Sequence, residues 1–462
     1  GSVQIDSVDG PLELRVWKRE VTGTKGTVNV LFLDADHAGN PDAWRAVSRK
    51  LYGGDNTLRL RQELVLGLGA LALAREAFND DFQLHLNEGH CAIAPVAWRL
   101  AGMTESAIRA RTLFTTHTPV KAGHDRFSAE LAKALLPADL QAETERVLGP
   151  GILNMSHLAA HYAHAMNGVS MTNAKVAEPL FDGRSIEGLT NGVHHRKWCL
   201  PAIAALFDRQ LPGWREDPRT LAQASNLDDD ALDGARRQAK EELCDYANAR
   251  TRSALLPNRL TLGFARRMTP YKRGNLLFFD EQRLMEAAQA VGGLQVIFAG
   301  KSHPKDVEGQ RILKRIFDQA QRSGGALRVA LIPDYSMWLG RLLTGGVDLW
   351  LNNPIRPLEA SGTSGMKASL QGVPNLSILD GWWVEGCQAG INGFAFGGER
   401  PERDDAGDAE ALYRCLIQEV APVWANREAR LTMQKAAIAT AADFTSERMV
   451  SDYRNRFYAA AR

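Results

Sequence analysis

No stretch of this 462-residue chain approaches 18 consecutive apolar residues, so nothing in it reads as a membrane-spanning helix. An excess of charge is missing too. With 55 Lys and Arg against 54 Asp and Glu, the net charge is +1, which argues against a general binder of nucleic acid or of membrane surfaces. Any anion must therefore be held locally. Cysteine is scarce: Cys91, Cys199, Cys244, Cys387 and Cys415 are odd in number, widely spaced and form no C-x-x-C pair. That excludes a disulfide framework and a zinc ribbon, and it fits a reducing cytoplasm. No G-x-S-x-G elbow occurs, which removes a Ser-His-Asp hydrolase of that type. There is no signal-peptide pattern, and Gly1-Ser2 reads as an expression scar.

The length exceeds what one hydrophobic core supports, so two domains of roughly 200 residues are expected. Short apolar runs alternate with longer, helix-patterned segments, the signature of βα units and parallel sheets. In the first half, strands are expected at Val28–Asp34, Phe82–Asn87, Arg111–His117, Gly168–Asn173 and around Gly188–Val193. In the second they are expected at Leu260–Ala265, Leu294–Gly300, Leu327–Pro333, Val347–Asn352 and Val373–Leu379. The border is placed after Trp198-Cys-Leu-Pro201, giving an α/β chain of two doubly wound, Rossmann-like domains, 1–205 and 206–440. Residues 441–462 form a closing helix, with Thr445 and Ser446 as capping candidates and Met449, Val450, Tyr453 and Phe457 on one face.

Ligands of open parallel sheets bind beyond the carboxyl ends of the strands. Arg266-Arg-Met-Thr-Pro-Tyr-Lys-Arg273 follows such a strand with four cations, which reads either as solvated surface or as an anion site. Lys301 follows the next strand and reads either way as well. Further on, Glu359-Ala-Ser-Gly-Thr-Ser-Gly-Met-Lys367 is a small-residue loop running into a helix. Gly362 and Gly365 would let its backbone approach an anion, with Lys367 beside it; a plain capping turn is the alternative. The run His157-x3-His161-x2-His164 lacks the Cys or carboxylate that would complete a metal set, so packing is the better account and no metal is assigned.

These loops, with Leu351-Asn-Asn-Pro-Ile-Arg-Pro-Leu-Glu359 and Leu379-Asp-Gly-Trp-Trp-Val-Glu-Gly386, resemble the α-glucan (glycogen, starch and maltodextrin) phosphorylase family in its shorter bacterial and archaeal branch. The resemblance runs from Tyr52-Gly-Gly-Asp55 to the C-terminus. It implies two domains of the GT-B kind with the active-site cleft between them. It also implies a cytoplasmic, pyridoxal 5′-phosphate-dependent glycosyltransferase acting on α-1,4-glucan or maltodextrin with inorganic phosphate or glucose 1-phosphate, for which a homodimer is compatible. Lys367 would carry the cofactor as a Schiff base, and the cofactor's 5′-phosphate would be the acid–base group. Arg267, Lys272 and the Gly362–Gly365 amides would hold the phosphates; Gly362, Thr363, Arg266, Tyr335 and Trp198 would line the cofactor, Trp198 reading equally as core packing. His117, in Phe114-Thr-Thr-His-Thr118, and Asn191, in Leu189-Thr-Asn-Gly-Val193, would read the sugar with Glu359 and Ser361. Glu88 and His90, in Leu86-Asn-Glu-Gly-His90, fit a loop near the sugar, or a structural loop.

The chain departs from the family at two cofactor positions, where Ser336 replaces an arginine and Arg266 a lysine. Relative to the family it also starts late, without the N-terminal glycine-rich loop over the phosphates, so slow turnover of this chain alone is expected. Two rivals remain at this stage. A nucleotide-sugar glycosyltransferase of the same fold would need the same cations and glutamate but not Lys367, and a carbohydrate-binding relative would keep the fold with little or no turnover.

Overall fold

The computed structural model describes residues 1–23, 26–49, 54–120, 123–302, 306–398 and 403–458. Tyr52 and Gly53, which open the resemblance, lie outside these. The chain forms two compact units: Gly1–Val169, Ala174–Gly188 and Asp452–Arg462 in the first, Ser170–Asn173 and Leu189–Ser451 in the second. The units change over at Leu189, ahead of the expected 205, because Cys199, Leu200 and Ile203 bury themselves in the apolar core of the second unit.

The first unit begins with an antiparallel meander, β1 (Ser2–Ser7), β2 (Gly10–Gly23) and β3 (Gly26–Asp34). In the first half of β2, alternation puts Leu12 and Leu14 inward while their neighbours face water. The expected strand at Val28–Asp34 exists, but as the third strand of this meander rather than as a βα unit. A separate parallel sheet has the order β4 (Leu84–Asn87), β5 (Thr112–Thr116), β8 (Ala165–Gly168), β9 (Glu187–Gly188), with a small antiparallel pair, β6 (Arg126–Phe127) and β7 (Leu153–Asn154), beside it in sequence. The strand expected at Gly168–Asn173 ends at Gly168, because Met171 already starts a helix. Likewise Gly188–Val193 is strand only at its first residue.

In the second unit the sheet order is β12 (Leu327–Ile332), β11 (Leu294–Ala299), β10 (Leu260–Ala265), β13 (Leu349–Asn352), β14 (Asn375–Ile378), β15 (Gly393–Phe396), parallel throughout. Successive residues feed opposite cores: Leu262, Phe264, Val296 and Phe298 go to one, Ala265, Ile297, Ala299 and Ala330 to the other. Burial of both faces is why these strands read as unbroken apolar runs. The strand order reverses between β10 and β13, a topological switch point, and a crevice opens beyond the carboxyl ends of strands on either side of such a reversal. The loops that follow β10 and β13 are the two motif-bearing loops.

At the end of the chain, a helix over Ser446–Tyr453 runs on to Tyr458. Tyr453 and Phe457 are buried as expected, but Val450 is exposed; it is one residue from Met449 on the helix and so about 100° away from the Met449–Tyr453–Phe457 line. Within the first unit, Tyr458 Oη meets His85 Nδ1 at 2.6 Å, and Asn167 Nδ2 donates to Tyr453 Oη at 2.8 Å.

Candidate active site

The two loops at the switch point are riveted together by Arg273. Its guanidinium donates to the carbonyls of Asn353 (3.0 Å) and Pro354 (2.7 Å) and pairs with Asp405 and Asp408 at 3.1 and 2.7 Å. In return Asn353 Nδ2 donates to the Arg273 carbonyl at 3.0 Å, and Ile355 N–H to the Tyr271 carbonyl at 2.7 Å. One of the four cations is therefore structural. Two of the others, Arg266 and Lys272, face a different partner.

Arg266 pairs through Nη2 with Glu359 Oε2, and Lys272 Nζ lies 3.3 Å from the same oxygen. Glu359 is buried, and Arg266 and Lys272 are largely so. Burial would raise the Glu359 carboxyl, but the two cations outweigh it and hold the group down at about 2. Burial pushes Lys272 down to about 8, with repulsion from Arg266 and Arg267 adding to it and Glu359 opposing. Both members are thus charged at neutral pH. Arg267, next in sequence, is exposed. Behind the carboxylate, Asp380 accepts N–H bonds from Glu359 and Gly381, each at 2.8 Å; its burial nonetheless raises it to about 7. Sequence reasoning missed Asp380, although it stands inside the Leu379–Gly386 block.

Gly362, at φ +83°, turns the loop into the helix Thr363–Ser369. Gly365 is required by space: a Cβ there would lie 2.3 Å from Asn375 Oδ1 and 2.9 Å from Trp382 Nε1. Met366 and Ala368 are fully buried and fix the direction of the residue between them. That residue, Lys367, puts its Nζ 3.6 Å from the centroid of the Trp198 ring. Burial lowers the amine to about 8. An amine poised near neutrality beside an aromatic face suits an aldehyde cofactor, and Arg266 Nη1, Thr269 Oγ1 and Ser361 Oγ are buried without a hydrogen-bond partner among the described residues. The residues present therefore fit a phosphate-bearing aldehyde.

The other expected positions divide. Tyr335 is half-buried and packs its phenol against Gly340. Ser336 caps the helix Met337–Gly346, its Oγ accepting from Leu339 N–H at 3.2 Å, which gives the residue in the arginine position a structural task. Lys301 is exposed. Asn191 lies in a loop whose backbone is bonded to the Phe444–Arg448 segment.

In the first unit, Glu88 at φ +69° follows β4 and turns its carboxylate onto the end of β5, accepting from the His117 backbone N–H and, at 2.9 Å, from Thr118 Oγ1. His117 Nε2 lies 2.6 Å from Asn87 Oδ1. Burial and the neighbouring His90 lower the His117 imidazole to about 4, so it is a neutral hydrogen-bonding ring. His90 has partners of its own. It joins Arg59, Glu63 and Asp125: its Nδ1 lies 2.6 Å from Arg59 Nη2 and 3.0 Å from Asp125 Oδ2, while Arg59 Nε lies 2.9 Å from Glu63. Burial alone would lower His90, but Asp125 and Glu63 raise it to about 9, while burial raises Glu63 to about 8. The three carboxylate and imidazole groups have metal-ligand spacing, yet the Arg59 guanidinium already bonds to the group as its cation. The three histidines of the 157–164 run go separate ways, to Leu180 O (3.0 Å), Glu105 (3.0 Å) and Thr112 O (2.8 Å).

With this geometry in place, comparison with known proteins is informative. The profile of the carbohydrate phosphorylases matches residues 108–415. A maltodextrin phosphorylase of Thermococcus litoralis is 35% identical over 98% of this chain and 60% of its own length. Glycogen phosphorylases of Aquifex aeolicus and Mycobacterium tuberculosis are each 35% identical, over 96% and 97% of this chain and 71% and 59% of their own lengths. The chain thus spans about three fifths of the length of the first and third. The family profile covers both the His117 loop and the whole Arg266–Lys367 region, and the chain belongs to the carbohydrate phosphorylase family.

Proposed function

We propose that the chain carries α-glucan phosphorylase chemistry: reversible transfer of a glucosyl unit from an α-1,4-glucan end to inorganic phosphate, giving glucose 1-phosphate with retention. The carrying observation is a half-buried Lys367, its amine lowered to about 8, in the loop that also delivers Glu359 to Arg266 and Lys272. Lys367 would hold pyridoxal 5′-phosphate through its amine, with Trp198, Tyr335, Gly362, Thr363 and Arg266 around it. When bound, the cofactor supplies a phosphate group able to give and take a proton.

The protein's own part is electrostatic. Two phosphate groups brought together repel strongly in a poorly solvated site, and Arg267 and Lys272 offset that repulsion at the substrate phosphate. In the reaction the bond from the sugar C1 to the glucan oxygen breaks, C1 bonds to a phosphate oxygen, and a proton passes to the departing oxygen. Positive charge grows at C1 in between. Glu359, ionised down to about 2, stabilises that charge and accepts from a sugar hydroxyl. His117, neutral, and Asn191 would recognise hydroxyls without changing protonation, and Ser361 and Glu88 would be further sugar ligands.

The test is intact mass after borohydride reduction in the presence of the cofactor, together with glucose 1-phosphate release from maltodextrin. One added cofactor on Lys367 and phosphate-dependent release support the reading. A wild-type chain that never gains the adduct removes it. A nucleotide-sugar donor consumed in place of glucose 1-phosphate would move the chain to the rival transferase class.

A further inference from the structure

The loop that carries Asn191 is held from two sides, and the second hold is a carboxylate that no role in the reaction yet uses. On one side the backbone of Val193 exchanges hydrogen bonds with the Phe444–Ser446 segment: Val193 N–H to Phe444 O at 2.9 Å and Ser446 N–H to Val193 O at 3.0 Å. Arg448 Nη2 adds a bond to the Asn191 carbonyl at 3.1 Å. Gly192 lies so close to this segment that a Cβ would stand 2.1 Å from Thr445 O. These contacts fix where the loop's far end lies. They grip backbone at 191 and 193 and leave the residues before Asn191 to be set by something else.

That something is Glu385, from the Trp383–Gly386 turn. One carboxylate oxygen accepts from Thr190 Oγ1 at 2.5 Å and the other from Met171 N–H at 3.0 Å. The Thr190 side chain is buried, so its hydroxyl has no water to fall back on. Glu385 is itself exposed, and through its two oxygens one side chain ties the residue next to Asn191 to the start of the Met171–Ala177 helix. Ser170, one residue further back, is itself anchored to the catalytic loop, its Oγ donating to the Ala360 carbonyl at 2.7 Å, directly after Glu359. An unbroken chain of contacts thus runs from the Glu359 loop through Ser170, Met171 and Glu385 to Thr190 and Asn191.

We infer that Glu385 and Thr190 form a brace that orients Asn191 toward the sugar and keeps its loop in register with the Glu359 loop. Glu385 is a positioning residue; it touches no substrate. The inference rests on the reading of Asn191 as a sugar ligand, and the experiment separates the two. Thr190→Val and Glu385→Ala should each raise KM for glucose 1-phosphate and maltodextrin about tenfold, with the phosphate dependence little changed, since both remove the Thr190–Glu385 hydrogen bond. The double variant should be no worse than Glu385→Ala alone, which already breaks that contact together with the bond from Met171 N–H. Thr190→Ser, which keeps the hydroxyl, should behave as wild type. Hydrogen exchange over residues 188–193 should speed up in Glu385→Ala. Additive losses, equal losses for sugar and phosphate, or unchanged exchange with unchanged kinetics would overturn the brace. Asn191→Ala is the control: if it leaves sugar KM alone, the ligand reading fails, and the brace then stands or falls on the exchange rates.

Discussion

Two partly buried lysines of the second unit, Lys272 and Lys367, are both lowered to about 8, yet for reasons that suit them to opposite tasks. Lys272 sits among charges. Burial and two arginines work against its proton while Glu359, 3.3 Å away, works for it. To lose that proton would leave Glu359 with Arg266 alone. Lys367 is lowered by burial alone, and its neighbour is the Trp198 ring, which welcomes a cation weakly and loses little when the charge goes. The first lysine is built to stay charged beside anions, the second to surrender a proton and react. The same local number therefore says nothing about role until its causes are separated.

The largest expected effect follows from the second lysine. Lys367→Ala should abolish the reduced cofactor adduct and with it glucose 1-phosphate formation, read by intact mass and by assay of the same sample. An adduct of unchanged yield, mapped by peptide to Lys272, would collapse the distinction between the two amines.

Next comes the carboxylate that keeps the first lysine charged. Glu359→Gln should destabilise the chain by about 3–5 kcal/mol, the cost of stripping one partner from a buried ion cluster. Inorganic phosphate should restore more of the melting temperature in this variant than in wild type, because an anion then replaces the lost charge. Equal phosphate effects in both proteins would mean that Arg266 and Lys272 do not face an anion site.

Legibility in the sequence followed the same line between local pattern and distant partner. The strands β10 to β14 were readable because burial on both faces makes each an apolar run, and the switch-point loops were readable because they follow those runs. β15, Gly393–Phe396, is no shorter than β13 or β14, but it opens on a glycine straight after the polar Gln388–Asn392 turn and alternates with Ala395, so no continuous apolar run marks it. The meander is not legible in Val28–Asp34 taken alone, because its strand pairs with β2, whose alternation at Leu12 and Leu14 lies in a different stretch of sequence. His90 reads either as part of a loop near the sugar or as structural. The partners it meets, Arg59, Glu63 and Asp125, come from other segments and have no spacing signal. Glu359 was legible as a site residue, but that it sits between Arg266 and Lys272 depends on Arg273 riveting two loops about 80 residues apart. Such long-range pairings have no local signature.

The two cations proposed at the phosphates differ as well. Lys272 is largely buried and Arg267 exposed, so water screens one far more than the other. Lys272→Ala should raise the KM for phosphate about 10–100-fold, as expected for a lost charge-assisted contact. Arg267→Ala should cost less, and its loss should shrink with added salt. Initial rates in both directions, at two ionic strengths, decide this. Losses confined to glucan affinity would take both residues out of the anion site.

The smallest effect is the most discriminating, since it titrates the two amines side by side. With Lys367 lowered to about 8, roughly a tenth of it is neutral at pH 7, against about 3 in 10,000 for a lysine at 10.5. Reaction with pyridoxal should therefore be fastest at Lys367 and should rise about tenfold per pH unit below 7, flattening above about 8 as the neutral form saturates. Lys272 has the same midpoint but should label poorly in wild type, because its reaction would remove half the charge that balances Glu359. In Glu359→Gln that restraint is gone. The Lys272 amine then faces Arg266 and Arg267 without a carboxylate, its pKa falls below 8, and it should become a second labelled site at lower pH than the first. Peptide mapping of borohydride-reduced samples from pH 6 to 9 follows both lysines at once. If Lys272 labels as readily as Lys367 in wild type, the carboxylate does not hold its proton, and the two lysines differ in surroundings without differing in chemistry.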